Sequence, residues 1–577
     1  MSHPPTGLIL GPSEGFAGAR YALLHSPPAG VSGLGAMVYL PPLGEEMNRS
    51  RRMAAVMCRR LAQSGWTVLQ LDLFACGDSA GELEHATWEG WEHDALAAHQ
   101  WLKDASGFHP WLWGLRHGAL IAAAVAPRIA DPVKLLLWQP VIDGATALRQ
   151  LLRPSSENRA TTAERMAELA AGQTVHVAGQ VLTPSVARGL QAARLDLSCA
   201  RAQTAVWLDV TPDGLPLHGR IAAMRPADSG EQTHWVHNTI CGPSFWVSAD
   251  IEEAPALVDS TLKALAETEP AARSESLTAP EALLQAPAAA QVGQHFEVPI
   301  GIAAGVEVLQ GIVADAPLAA SLGLIIVVGG PQVRTGAHRL FTQLARHAAD
   351  AGFPSLRFDL RGMGDSTGTA TPFDNNSPEL SAAIDALIER CPSVQRVALL
   401  GLCDGASSAL LYSEQQDARV AGLLLLNPWA HSANLAAQTR LRHHYPRRFL
   451  ERDFWQKLAR GRINWQGLRS MWRDWRAARQ EQAQPEFLRR MEDCWFSFPG
   501  SVRVFLSQHD YTAREFERAH ADWISDSRRP DAPRSFVNLV DADHTLSDPA
   551  ARQRVAGEVE GFLRSLAKNA SGEVRHG

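Results

Sequence analysis
Short apolar runs alternate with amphipathic stretches along most of the chain, and the two kinds of segment recur twice in the same order. Trp66 to Leu71 and Phe353 to Phe358 have the length of buried strands, and each follows a helical stretch, Arg51 to Gly65 or His338 to Gly352, that closes on a glycine. Leu135-Leu136-Leu137-Trp138 and Leu423-Leu424-Leu425-Leu426 are further runs of the same kind. Strands apolar on both faces, separated by amphipathic helices, predict an α/β architecture of mostly parallel, doubly wound sheets. Matching landmarks lie 287 residues apart: Leu71-Asp72-Leu73 with Phe358-Asp359-Leu360, Gly77-Asp78-Ser79 with Gly364-Asp365-Ser366, and Gly114-Leu115-Arg116-His117-Gly118 with Gly401-Leu402-Cys403-Asp404-Gly405. A period this long repeats a whole domain, since a solenoid unit spans only about 20 to 50 residues.

Between the repeats, from about Ala266 to Gln294, the chain is dominated by Ala, Pro, Glu and Ser, a linker composition. The expected domains are therefore residues 1–265 and 295–568, with a polar tail at 569–577. With 577 residues, 46% hydrophobic and 20% charged, each half has enough chain for its own core. The opening residues have no basic segment followed by an apolar one, and no run reaches the roughly 18 apolar residues a membrane span needs, so a cytoplasmic protein without a transmembrane segment is expected. Seven cysteines, odd in number and without a Cys-x-x-Cys pair, fit a reducing compartment; no metal and no cofactor is expected.

Both Gly-Leu-x-x-Gly motifs sit between a strand-like run and an Ala-rich helical run. That is the context of a nucleophile elbow, the sharp turn on which α/β-hydrolases expose their nucleophile above the sheet. In the second half the elbow holds Cys403. The partners in this fold follow in the order acid, then histidine. Asp510 stands at the end of the run Val502 to Leu506, and His544 follows the run Ser535 to Val540, so the sequence predicts Cys403 as nucleophile, His544 as general base and acid, and Asp510 as the group orienting the imidazole. Oxyanion donors are expected from the Asp404 amide and from the loop Gly329-Gly330-Pro331-Gln332, where Pro331 has no N–H and either Gly330 or Gln332 must donate. The loop from Asp359 to Ser366 reads as a structural turn.

In the first half Arg116 occupies the elbow and cannot act as a nucleophile, Phe245 stands at the histidine position, and the acid position is only Thr211-Pro212-Asp213. This half reads as degenerate, with Arg116 paired to Glu45 or Glu46 and the loop Pro41 to Asn48 available to form a pocket. Each half has room for a cap insertion after its sixth strand. In the second half, residues 431–480 hold twelve Lys or Arg against three Asp or Glu, in a chain of net charge −7. Arg469, Arg473 and Arg476 share a helical face there and are candidates for binding an anionic substrate group. No nucleic-acid-binding module accompanies the charge.

The first half, through Pro41-Pro42-Leu43-Gly44-Glu45-Glu46-Met47-Asn48-Arg49-Ser50-Arg51-Arg52, Gly114-Leu115-Arg116 and Leu137-Trp138-Gln139-Pro140, resembles the second of two hydrolase families associated with the exosortase A system. The second half resembles the first family, through Val328-Gly329-Gly330-Pro331-Gln332, Thr335-Gly336-Ala337-His338-Arg339, Gly401-Leu402-Cys403-Asp404, Leu426-Asn427-Pro428-Trp429 and Asp543-His544-Thr545. The resemblance implies two tandem α/β-hydrolase domains acting in bacterial exopolysaccharide biosynthesis beside the proteins of the exosortase pathway. The expected activity is hydrolysis of a small-molecule or saccharide-linked ester, thioester or lactone through an acyl-thioenzyme, and the Cys-His-Asp set resembles that of dienelactone hydrolases. Two other readings stay open: a non-catalytic binding protein of the same pathway, and acyl transfer to a sugar hydroxyl.

Overall fold
A computed structural model describes residues 4–153, 160–177, 179–197, 202–215, 234–248, 250–268, 290–292, 294–317, 320–431, 485–525 and 532–573. They divide into two compact units, Met1–Ala319 with Gly330–Ala370, and Ala320–Gly329 with Thr371–Gly577. The cut falls inside the second sequence repeat.

The first unit is built on β1 (Thr6–Leu10), β2 (Arg20–His25), β3 (Gly35–Leu40), β4 (Trp66–Leu71), β5 (Trp111–Leu115), β6 (Val133–Trp138), β9 (Ala202–Thr211) and β10 (His234–Cys241), in the sheet order β1-β2-β4-β3-β5-β6-β9-β10. A small hairpin, β7 (Val175–Val177) with β8 (Gln180–Leu182), stands apart from this sheet. From β4 to β10 the neighbours are parallel, while β1, β2 and β4 pair antiparallel. Because successive side chains point to opposite faces, Ala36, Val38 and Leu40 of β3 enter one apolar cluster, and Met37 and Tyr39 enter another. Likewise Leu135 and Leu137 of β6 pack on one side, with Leu136 and Trp138 on the other. Helices α1 (Glu45–Gln63) and α7 (Pro255–Thr268) cover the second cluster; α2 (Trp88–Ser106), α3 (Gly118–Val125) and α6 (Pro184–Ala192) cover the first. Two faces buried in this way explain the unbroken apolar runs. The insertion between β6 and β9 holds α4 (Gly144–Leu151), α5 (Thr162–Ala170), the hairpin and α6.

In the second repeat come β11 (Ala290–Val292), β12 (His295–Ala304), β13 (Glu307–Asp315), β14 (Leu322–Val327), α8 (Leu340–Asp350) and β15 (Ser355–Phe358). Of these, β12, β13 and β15 pair antiparallel within the first unit, as β1, β2 and β4 do. The second unit pairs β14 with β16 (Arg396–Leu402), β17 (Val420–Leu426), β18 (Ser501–Ser507) and β19 (Arg534–Leu539), all parallel and consecutive. Its helices are α9 (Ser377–Arg390), α10 (Asp404–Leu411), α11 (Glu486–Ser497), α12 (Tyr511–Ser525) and α13 (Pro549–Glu573). This parallel series has the order of β3, β5, β6, β9 and β10 in the first unit.

Element boundaries differ from the sequence expectation at several ends. Helix α1 starts six residues early, at Glu45, because Glu45 and Glu46 suit the positive end of a helix. Helix α7 runs to Thr268 and β11 begins at Ala290, so both ends of the expected linker belong to regular elements, while residues 269–289 lie outside the described residues. Helix α13 continues to Glu573, into the expected tail, since Ala567 to Ala570 contain no helix breaker. The basic insertion, with Arg469, Arg473 and Arg476, lies outside the described residues. No helix among those described is long and apolar enough to cross a membrane.

The two Asp-Leu turns close on the same bonds. Asp72 Oδ2 accepts from Asp78 N at 2.9 Å and Asp359 Oδ2 accepts from Asp365 N at 3.0 Å; Ser79 Oγ donates to Asp72 O at 2.6 Å and Ser366 Oγ to Asp359 O at 2.7 Å. Gly77 and Gly364 take φ of 54° and 47°, and a Cβ on either would lie 2.1 or 2.3 Å from the aspartate it faces, so neither position admits a side chain. Within the first unit these turns carry a buried ionic network that the structural reading of the loop did not foresee. Arg51 binds Asp72 at 2.9 Å and Asp365 at 2.7 Å. Arg334 binds Asp78 at 2.8 Å, Asp365 at 2.7 Å and also Asp359. Arg357 joins Asp78 at 3.0 Å to Glu297 at 2.9 Å, and Arg346 binds Glu297 at 2.8 Å. All these side chains but Arg346 are at most 2% exposed. Burial alone would favour a neutral Asp365, but the charges of Arg51 and Arg334 prevail and hold its carboxyl well below the usual range.

Asp365→Asn leaves Arg51 and Arg334 with less compensation and is expected to cost about 3 to 5 kcal/mol, the range for breaking a buried ion pair from one side. The measurement is the urea midpoint, with Asp259→Asn as control, since the Asp259–Arg60 pair spans 3.7 Å at the surface and its loss should leave the midpoint in place.

Candidate active site
The parallel strands of the second unit end on one edge, where α/β sheets gather their functional groups. Cys403 follows β16, Asn427 follows β17, Asp510 lies beyond β18 and His544 beyond β19. Cys403 has φ 60° and ψ −126°, a left-handed conformation costly for a residue with a Cβ. It is retained by bonds on both sides: Cys403 N donates to Leu426 O at 2.9 Å, and Trp429 N donates to Cys403 O at 3.1 Å. The chain then enters α10 directly, with Asp404 as its first residue. First-turn amides have no acceptor inside their own helix, and the Asp404 N–H is one of these. A Cβ on Gly329 would come within 1.8 Å of Asp404 Oδ1, so only glycine lets the end of β14 pass the start of α10.

His544 Nδ1 and Asp510 Oδ2 are 2.8 Å apart, and the Cys403 side chain is close enough to act on the imidazole. Burial alone would lower the His544 pKa; Asp510, through its hydrogen bond and its charge, and then Cys403 overcome this and raise it to about 10. Asp510 is 5% exposed. Its oxygens also accept from Thr512 N at 3.0 Å and Ala513 N at 3.3 Å, so one carboxylate both caps α12 and holds the histidine. His509, next in the chain, turns away and meets Asp541 at 3.4 Å.

Cys403, His544 and Asp510 are thus brought together within the second unit. Gly330 and Gln332 belong to the first unit, where Gln332 Oε1 is buried with no protein partner.

Two features of the site escaped sequence reasoning. Asn427, 1% exposed with φ 44°, donates through Nδ2 to Ser507 Oγ at 3.0 Å and to His544 O at 3.1 Å, while its Oδ1 accepts from Ser507 N at 2.8 Å. It therefore ties the histidine loop to β17 and β18. Trp429 stacks on Phe487 with centroids 5.3 Å apart and meets Phe373 edge-on at 5.2 Å, and His431 lies over its other side at 5.8 Å. The signal for both was Leu426-Asn427-Pro428-Trp429, in which a polar residue directly follows a fully apolar strand.

The same positions in the first unit share the backbone and differ in chemistry. Arg116 has φ 54°, its N donates to Trp138 O at 3.0 Å, and Val141 N donates to its O at 3.1 Å. Its guanidinium grips Glu46 through two bonds, of 3.1 and 3.2 Å, and lies over the Trp246 ring. Of the two carboxylates expected to pair with it, Glu46 is the partner. Burial opposes the Glu46 charge, but His117 and Arg116 outweigh it and bring the carboxyl down to about 2. Gln139 repeats the Asn427 device, with φ 41°, its N donating to Leu208 O at 2.8 Å and its Oε1 accepting from Val210 N at 2.6 Å. Phe245 is buried as a core residue. Asp209 is buried and 3.1 Å from His237 Nε2. Val210 N bonds Gln139 as Ser507 N bonds Asn427, so Asp213, three residues after Val210, stands at the position that Asp510 holds after Ser507.

Residues 324–480 match the family model described as the alpha/beta hydrolase fold. The chain is similar to a solved esterase of Pyrococcus furiosus, with 16% identity over 47% of this chain and 90% of that one and a TM-score of 0.33. It is similar to a dienelactone hydrolase of Anabaena variabilis, with 13% identity over 47% and 98% and a TM-score of 0.32. It is also similar to a proline iminopeptidase of Mycobacterium smegmatis, with 18% identity over 47% and 99% and a TM-score of 0.31. No curated protein matches the chain.

Asp510→Asn should bring the His544 pKa down toward or below 6.5, because it removes the largest influence raising it and leaves burial, which lowers it. An imidazole NMR titration reads this directly. The linkage has the matching sign: the raised pKa contributes stability in full below pH 6.5, lost as pH climbs to about 10, so the variant should lose less stability across that window.

Proposed function
We propose that the chain is a cysteine-dependent α/β-hydrolase whose chemistry is confined to the second repeat. The observation that carries this reading is the gathering of Cys403, His544 and Asp510, with Cys403 on a left-handed elbow and the imidazole fixed by Asp510 through Nδ1 at 2.8 Å. With Nδ1 held by Asp510, Nε2 is the atom that exchanges protons with Sγ and substrate. With His544 already holding the proton that its raised pKa favours, sulfur attacks the acyl carbon and the carbonyl electrons move onto oxygen, where the Asp404 N–H receives the charge. The leaving alkoxide or thiolate departs with the proton from His544, forming an acyl-thioenzyme. Water, deprotonated by His544, adds to the thioester and expels the thiol, which regains its proton.

A thiol nucleophile favours activated acyl groups, hence an ester, thioester or lactone. The resemblance to the exosortase-associated families puts the substrate in exopolysaccharide biosynthesis, and it makes the first repeat a degenerate tandem partner. Arg116, committed to Glu46, has no role in the chemical step. Trp429, just beyond the strand that follows the elbow, supplies an apolar wall with Phe373 and Phe487.

Cys403→Ala and His544→Ala should each abolish turnover of p-nitrophenyl esters and acyl thioesters, and the double variant should be no worse than either, because the residues act as a unit. Arg116→Ala should leave kcat within about twofold. An ester-cleaving activity that survives Cys403→Ala would overturn the assignment, and no turnover of any ester, thioester or lactone would favour a binding protein.

The basic insertion gives a second test. If Arg469, Arg473 and Arg476 bind an anionic substrate, KM should rise with salt while kcat holds, since exposed charges are screened over about 10 Å at 0.1 M. Replacing all three with Ala should give the high-salt KM at low salt. A KM indifferent to both would mean a neutral substrate.

A further inference from the structure
The degenerate first half keeps a cavity that the proposed chemistry does not use. It has a volume of about 240 Å³ and lies entirely within the first unit, beside the loop that precedes α1 and under the β7–β8 hairpin. Its walls are mostly apolar: Leu43, Met47, Trp91, Val181, Leu182 and Val186. The polar groups that reach it are already engaged. Arg339, the only cation among the described lining residues, donates to Gly77 O at 3.1 Å, Ser79 O at 2.6 Å and Gly81 O at 2.8 Å. Glu46 is held by Arg116. Glu45 accepts from Gln180 Nε2 at 2.9 Å, from His338 N at 3.0 Å and from Asn48 Nδ2 at 3.3 Å.

This arrangement decides the charge of an occupant. Glu46 is balanced by Arg116, but Glu45 pairs with no Arg or Lys among the described residues and Arg339 is turned to backbone carbonyls, so an anion beside Glu45 meets like-charge repulsion in a low-dielectric site. A hydrocarbon chain would meet side chains that bury it, and a hydroxyl at its end could donate to a lone pair on Glu45. The size follows from cavity scaling: an apolar cavity of about 150 Å³ holds benzene, so this one has room for about eight to ten carbons.

We propose that the cavity of the first half is a binding site for an uncharged, medium-length hydrocarbon chain ending in a hydrogen-bond donor, separate from the Cys403 site. The degenerate repeat then has a ligand of its own although it has lost the nucleophile.

The test titrates the full chain with 1-octanol and, separately, with octanoate at pH 8, following Trp91 by fluorescence and stoichiometry by calorimetry. One-to-one saturable octanol binding is expected, with octanoate weaker by about tenfold or more because of its charge. Leu182→Trp and Val181→Trp, each filling the cavity from the half-buried hairpin, should remove octanol binding while ester turnover at Cys403 is unchanged. Glu45→Gln should narrow the gap between the two probes. Absence of saturable octanol binding would overturn the proposal, as would octanol binding that persists in both filled variants or octanoate binding as tight as octanol. Loss of Cys403-dependent turnover in otherwise folded variants with octanol binding intact would also overturn it.

Discussion

A guanidinium withdrawn from water without a partner costs several kcal/mol, and the first unit buries Arg51, Arg334 and Arg357 to 2% exposure or less. They are sustained by two turns with the same internal bonding, Asp72 to Ser79 and Asp359 to Ser366, which present carboxylates from opposite ends of the sequence. In each turn the aspartate that closes it also pairs with an arginine of its own repeat, Asp72 with Arg51 and Asp359 with Arg334, and the other reaches further: Asp78 to Arg334 and Arg357, Asp365 to Arg51 and Arg334. The geometry is therefore strict. A shift of either turn by an ångström would part several charges at once, in surroundings where unscreened charges matter most. This explains why contacts group 330–370 with the first repeat.

The edge of each parallel series shows how one backbone serves two purposes. The elbow residue, Arg116 or Cys403, accepts the same strained φ, and the same two backbone bonds hold it in place. The amide that follows the next strand, Gln139 or Asn427, uses its side-chain oxygen to secure the neighbouring strand end in both repeats. In the second repeat the chain also brings a histidine loop down onto that amide; Asn427 Nδ2 reaches His544 O, while the longer Gln139 meets no such loop. Strain at Arg116 then serves only to present a side chain to Glu46. At Cys403 it presents a thiol to an imidazole that is already oriented.

Much of this was legible in the sequence. The repeat at 287 residues, the two-sided burial of the strands and the order Cys403, Asp510, His544 are all linear signals, because periodicity and strand ends leave traces along the chain. What was not legible is three-dimensional by nature. The aspartates at 72, 78, 359 and 365 read as turn builders, and nothing in their spacing announces that Arg51 and Arg334 would be buried against them. The Asp209–His237 pair has no linear signal either, because a carboxylate inside an apolar strand is recognised only by its partner on the neighbouring strand. Asn427 was quoted as part of a motif, yet its bond to a backbone carbonyl 117 residues away has no sequence signature.

Asp365 of the second repeat answers Arg51 of the first, and Asp78 of the first answers Arg334 of the second. Neither repeat is electrically complete in isolation. Dividing the chain between residues 268 and 290 would leave Asp78 without either of its arginines, and would take one partner each from Arg51, Arg334, Arg357 and Asp365. The two repeats are therefore bound to each other by charge as well as by sequence, a dependence that has nothing to do with substrate.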